Sequence, residues 1–280
     1  MQSTFKFLPL QSSWVAIHPQ PIGVVQFIGG AFFGTFPTVF YRYLLQKVYD
    51  QGYTIIALPY RFTFRHWSVA IGLVREQRAL RVTIRDEAQR RGYAYKIYEE
   101  DPTSADKNYV WIGHSLGNKY IALLELLTDL ETKSEQDVLG DCVGADQYQE
   151  IEDRLQNVDF KDISLLNQPS ILMAPAITGI ESAIPVPAVA KFVKRLGLDV
   201  KPSVEETHCL IKGSGLFGLM GLISFDRDQI ARETVDWLTA NLPHKPAQRA
   251  ELKGEHLTPL GYRSGDRTLS DTVLQFLQAL

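Results

Sequence analysis

The sequence predicts an α/β fold, a mostly parallel sheet with helices packed on both faces. Three observations predict it. Short apolar runs alternate with stretches of helical periodicity, with no internal repeat, along 280 residues. One such run, Tyr109-Val110-Trp111-Ile112, passes straight into Gly113-His114-Ser115-Leu116-Gly117, a G-x-S-x-G set between strand and helix. A serine, an aspartate and a histidine then follow in that order, each just beyond an apolar run. Sites in open α/β sheets form at the carboxyl ends of strands.

Taken in order, residues 13–18 read as a short strand ending at Pro19. Residues 22–28 are almost continuously apolar, as expected of a strand covered on both faces. Gly29-Gly30 ends that strand. A helix is expected over 37–49, with Pro37 in its first turn and Gly52 as its stop. Residues 53–58 give the next buried strand, completing one crossover unit. Residues 59–66 are a loop carrying Tyr60, Phe62, Phe64 and His66, the aromatics reading as core or pocket wall. The longest helical pattern runs over 67–91, and its many arginines read as a solvated face. Residues 99–108 are polar and turn-rich.

After the serine, Ile121, Leu124, Leu127 and Leu130 fall on one face of a helix over 118–130. Residues 128–162 are acidic and weakly periodic, and read as an inserted flap rather than a second domain. Residues 170–174 are a strand. An amphipathic helix is expected over 184–196, and a cap over about 176–216 would cover the top of the sheet. A strand over 217–225, a helix over 229–242, a strand over 247–252 and a helix over 265–280 complete a single domain.

Composition narrows the function. With 45% hydrophobic and 22% charged residues the chain reads as an ordinary globular protein, and a net charge of −3 offers no basic footprint for nucleic acid. No apolar run approaches the length of a membrane span, and no secretory signal is visible. Cys142 and Cys209 show no paired-cysteine or metal spacing, so a disulfide or zinc site is not expected and a reducing compartment is. Gly213-x-Gly215-x-x-Gly218 fits a dinucleotide fingerprint in letters, but it leads into a strand instead of a helix. No cofactor or metal is called for.

The chemistry rests on residues after strands. Ser115 follows the run ending at Ile112. Its hydroxyl is a poor nucleophile until a base takes its proton. His256, in Gly254-Glu255-His256, supplies an imidazole suited to neutral pH. Asp226 and Asp228 follow the strand ending at Phe225, and a carboxylate is what fixes an imidazole tautomer. The glycines at 113 and 117 leave room where the turn crowds its neighbours, and the N–H of Leu116 can face an oxyanion. His114 reads as a packing or hydrogen-bonding residue, and His18, His66, His208 and His244 as structural or exposed.

From about residue 22 to the C-terminus these features resemble the α/β-hydrolase superfamily. Its elbow matches Gly113 to Gly117, and its histidine loop matches Gly254-Glu255-His256. Its acid motif, Asp-x-x-Val/Ala, matches Asp228-Gln229-Ile230-Ala231, which favours Asp228 and leaves Asp226 as the substitute. The resemblance implies an oxyanion hole from the N–H groups of Leu116 and of Ala31 or Phe32. Where the superfamily often has His-Gly-Gly, this chain has Ile28-Gly29-Gly30, so the loop lacks that histidine's support. Asn118-Lys119 also stand where a small residue is common, with an acidic neighbour expected for Lys119. The overall sequence is similar to a little-characterised branch from photosynthetic organisms, which implies a cytoplasmic or plastid-type setting. The function implied is a serine hydrolase, or an acyltransferase, acting on an ester, thioester or lipid-like acyl group. The alternative is a non-catalytic binding or regulatory protein on the same scaffold, with room for a protein partner.

Overall fold

A computed structural model describes residues 4–98, 108–156, 165, 168–177, 200–214 and 218–279. Eight strands form one sheet in the order β1-β2-β4-β3-β5-β6-β7-β8. They are β1 (Leu8–Leu10), β2 (Ser13–Ala16), β3 (Gly23–Ile28), β4 (Tyr53–Ala57), β5 (Tyr109–His114), β6 (Ser170–Met173), β7 (Leu219–Phe225) and β8 (Gln248–Leu252). β1 and β2 pair antiparallel at one edge, and β4 through β8 run parallel. Every residue of β3, β4 and β5 is buried, which accounts for their continuous apolar runs.

The helices are α1 (Pro37–Phe40), α2 (Arg42–Asp50), α3 (His66–Arg90), α4 (Leu116–Thr128), α5 (Glu135–Leu139), α6 (Ala145–Leu155), α7 (Val204–Ser214), α8 (Arg232–Asn241) and α9 (Arg267–Gln278). The single helix expected over 37–49 is two, because Tyr41 at φ −112°, ψ 14° breaks it. β1 has three residues, too few for a periodic signal. Residues 135–155, within the expected flap, hold α5 and α6. Ser134 caps α5 by accepting the Asp137 N–H, and α6 buries Gln147, Ile151 and Leu155 at four-residue spacing. The helix expected over 184–196 lies outside the described residues, as does most of the turn-rich stretch over 99–108.

Two expectations are corrected. Cys142 and Cys209 form a disulfide with their Cα atoms 5.5 Å apart. They are 67 positions apart in sequence, and α7, which carries Cys209, packs on both α4 and α5. Tertiary packing joins them, so no spacing motif announces the pair, and the reducing compartment inferred from their spacing loses its ground. The face of α3 is also not wholly solvated. Arg81 is buried, with its guanidinium 3.9 Å from the centroid of the Tyr109 ring. Arg90 and Arg91, by contrast, both pair with Glu87 near the helix end.

Candidate active site

The turn after β5 forces Ser115 to φ 54°, ψ −121°, outside the ordinary helix and strand regions. Such a conformation costs about 1–3 kcal/mol and persists only where its surroundings fix it. Here they do. The Ser115 N–H donates to the Met173 carbonyl of β6, and the Ser115 carbonyl accepts from Asn118 and Ala176. Asn118 adds a side-chain bond to the same Met173 carbonyl at 2.7 Å. A Cβ at Gly113 would collide with Asn118, and one at Gly117 with the carbonyl oxygens of Ile28 and Gly29. The two glycines thus let α4 sit directly on β3 and β5.

The parallel register brings β5, β7 and β8 to the same sheet edge. His256 Nε2 lies 2.8 Å from Ser115 Oγ, and His256 Nδ1 lies 2.8 Å from Asp228 Oδ2. Asp228 Oδ1 accepts the N–H groups of Ile230 and Ala231, each at 2.9 Å. Burial would raise the Asp228 carboxyl, but the His256 bond and these two N–H donors outweigh it and hold the group below its ordinary value. A carboxylate can only accept, so His256 carries its proton on Nδ1 and presents a bare Nε2 to the serine hydroxyl. Asp226 is placed differently. Its Oδ1 accepts the Gly254 N–H at 2.8 Å and so steadies the loop that carries His256.

Ser115 and His256 open onto a cavity of about 290 Å³. Ala31, Phe32 and Leu116 line it, together with Phe62, Ile230 and Leu257. Outside regular helices and strands, no described acceptor takes the N–H of Ala31, Phe32 or Leu116, and Leu116 opens α4, where the first N–H groups have no partner within the helix. The loop is secured by a residue that sequence reasoning missed. Tyr41, at the break between α1 and α2, brings its hydroxyl to 2.7 Å from the Gly30 N–H. Lys119 is also buried and donates to the Pro202 carbonyl at 2.6 Å. His208 stacks on Trp237 at 3.8 Å, and His18 bonds near Gln20.

A family described as a protein of unknown function (DUF1350) matches residues 7–139, a stretch that includes Ser115 and stops short of Asp228 and His256. No curated protein matches the chain. Among solved structures, carboxyl esterase 2 from the mycorrhizal fungus Tuber melanosporum is similar, with a TM-score of 0.55 and 15% identity over 100% of this chain and 88% of that one. The fold is that of the α/β-hydrolases. Esterase B from Lactobacillus rhamnosis superposes with a TM-score of 0.53 and 14% identity, over 93% of this chain and 75% of its own. A lipase/esterase from Lactobacillus plantarum gives 0.51 and 12% identity, over 100% and 98%. At such identities the likeness concerns the fold. Among the described residues of this α/β-hydrolase fold, no helix is long and apolar enough to cross a membrane, and no cluster of histidine, cysteine and acidic side chains could hold a metal ion.

Proposed function

We propose that this chain is a serine hydrolase of esterase type, with Ser115 as nucleophile, His256 as general base and then acid, and Asp228 as the group that orients His256. One observation carries the reading. The Asp228–His256–Ser115 hydrogen bonds form an unbroken series that ends at an apolar cavity. In the reaction, Ser115 Oγ bonds to the acyl carbon as its proton passes to His256 Nε2. The carbonyl oxygen takes up the charge, stabilised by the N–H of Leu116 and that of Ala31 or Phe32. His256 then protonates the leaving alcohol or thiol, and the acyl carbon parts from it. Water, activated by the same imidazole, attacks the acyl-serine, and Ser115 leaves with the proton returned. The walls Phe32, Phe62, Ile230 and Leu257 favour an apolar acyl chain. A loop with Ile28 in place of a histidine before Gly29 would suit a non-catalytic scaffold if nothing else held it. Tyr41 now gives the loop a support of its own, which favours turnover.

The test is active-site labelling with a fluorophosphonate, together with hydrolysis of a short-chain p-nitrophenyl ester. The expected result is one adduct at Ser115 and measurable turnover, both abolished in Ser115→Ala. Turnover that survives Ser115→Ala, or wild-type protein that neither labels nor hydrolyses, overturns the assignment.

A further inference from the structure

The loop after β3 and the loop after β8 come from strands well separated in the sheet, with β5, β6 and β7 between them. A single side chain reaches toward both. His114, the last residue of β5, is fully buried, and its Nε2 lies 2.9 Å from the main-chain carbonyl of His256. Its Nδ1 lies 2.8 Å from the Tyr41 hydroxyl, which lies 2.7 Å from the Gly30 N–H. The donors fix every direction in this series. The His256 carbonyl can only accept, so His114 carries its proton on Nε2. Nδ1 is therefore bare and accepts from the Tyr41 hydroxyl, whose oxygen in turn accepts from Gly30. Every polar atom in the series is satisfied with both rings uncharged. Burial acts the same way on each: it lowers His114 to about 3 and pushes the Tyr41 hydroxyl up from its ordinary value.

We propose that Tyr41 and His114 are positioning residues, a buried brace that holds the Ala31–Phe32 loop in fixed relation to His256. The proposal rests on the hydrolase reading above. The brace grips the main chain of each loop, leaving the His256 ring to Ser115 and Asp228 and the Ala31 and Phe32 N–H groups to an oxyanion. The fit is close. A Cβ at Gly30 would lie 3.0 Å from Ser115 Cβ and 3.2 Å from His114 Nδ1, so the loop rests directly on the elbow. Placement of oxyanion donors matters chiefly in the transition state. Cutting the brace should therefore lower kcat and leave KM nearly unchanged.

Tyr41→Phe removes only the hydroxyl and keeps the ring against Phe27, 4.7 Å away between centroids. His114→Phe removes both links. His114→Gln restores an amide donor and acceptor. kcat, KM, the rate of fluorophosphonate labelling and Tm are measured for wild type, each variant and the Tyr41→Phe/His114→Phe double variant. The expected loss in kcat and in labelling rate for Tyr41→Phe is about 10–100-fold, with KM within about threefold. The double variant should be no worse than His114→Phe alone, because one brace is cut twice, and His114→Gln should recover part of the loss. A Tyr41→Phe enzyme with wild-type kcat, or losses that multiply in the double variant, overturns the brace while leaving the hydrolase reading intact. Wild-type protein without labelling or turnover overturns both.

Discussion

Asp226 and Asp228 stand two residues apart beyond the same strand, yet their side chains do different work. Asp228 faces the imidazole with one oxygen and is pinned by two main-chain N–H groups through the other. Asp226 holds the Gly254 N–H. Asp228→Asn would turn an acceptor into a donor toward Nδ1. The imidazole would then carry its proton on Nε2, facing Ser115, where it could not act as the base proposed above. The expected loss in kcat is roughly 10³–10⁴-fold with little change in KM. Asp226→Asn keeps an oxygen for Gly254 and should stay within about threefold of wild type. Steady-state kinetics on one p-nitrophenyl ester separates the two, and equal losses would remove Asp228 from its assigned role. Ser115, His256 and the aspartate pair were legible in the sequence as candidates, because the proposed chemistry restricts residue type and the fold restricts such residues to post-strand loops. Tyr41 was not. It sits among apolar residues of a helical stretch, and its role follows from a hydroxyl direction that no periodicity encodes.

At the scale of elements, the turn at Ser115 depends on how closely α4 approaches β3. A methyl group at Gly117 would overlap main-chain oxygens of Ile28 and Gly29, which have no rotamer to relieve it. Gly72, on α3, has open space around the same position. Gly117→Ala should therefore destabilise by about 1–3 kcal/mol through overpacking, and it should lower activity by tilting α4. Gly72→Ala should stabilise by about 0.5–1 kcal/mol through helix propensity alone. Denaturant melts of both variants test this, and a Gly117→Ala protein as stable and active as wild type would show that the approach is not tight. The elements themselves were legible where they were long or buried on both faces, as with β3, β4, β5 and α3. Their ends were less so. The break at Tyr41 and the early start of α4 at Leu116 are set by contacts with the loop and the strand, and neither leaves a mark in propensity.

Across the whole molecule, the features least visible in the sequence are those that tie distant segments. The Cys142–Cys209 disulfide is one, and the Glu125 carboxyl is another. Glu125 lies on α4 among apolar neighbours, fully buried, where a helix-face pattern gives no reason to expect a charge. Its oxygens meet the Ser170 hydroxyl at 3.1 Å and the Gly218 N–H at 3.2 Å, joining α4 to the starts of β6 and β7. Burial raises its pKa to about 7, against the opposing pull of those two donors. The sign of the consequence is definite. The folded chain keeps this proton up to about pH 7, whereas the unfolded chain releases it near the ordinary value of 4.5. The group's stabilising effect is thus complete below about pH 4.5, declines as pH rises, and is gone above about 7, a change on the order of 3 kcal/mol. His114 acts in the opposite sense, since the folded state refuses a proton that the unfolded state accepts as pH falls. Comparing Glu125→Gln with wild type cancels that term. A glutamine stays neutral, can accept from Gly218, and can donate to Ser170, whose hydroxyl already reaches the Gly218 carbonyl. The variant should match wild type near pH 5 and exceed it at pH 8, as read from urea unfolding at intervals between. Parallel curves over that range would mean that Glu125 ionises at no cost in the folded protein, and that water or a shifted backbone reaches it.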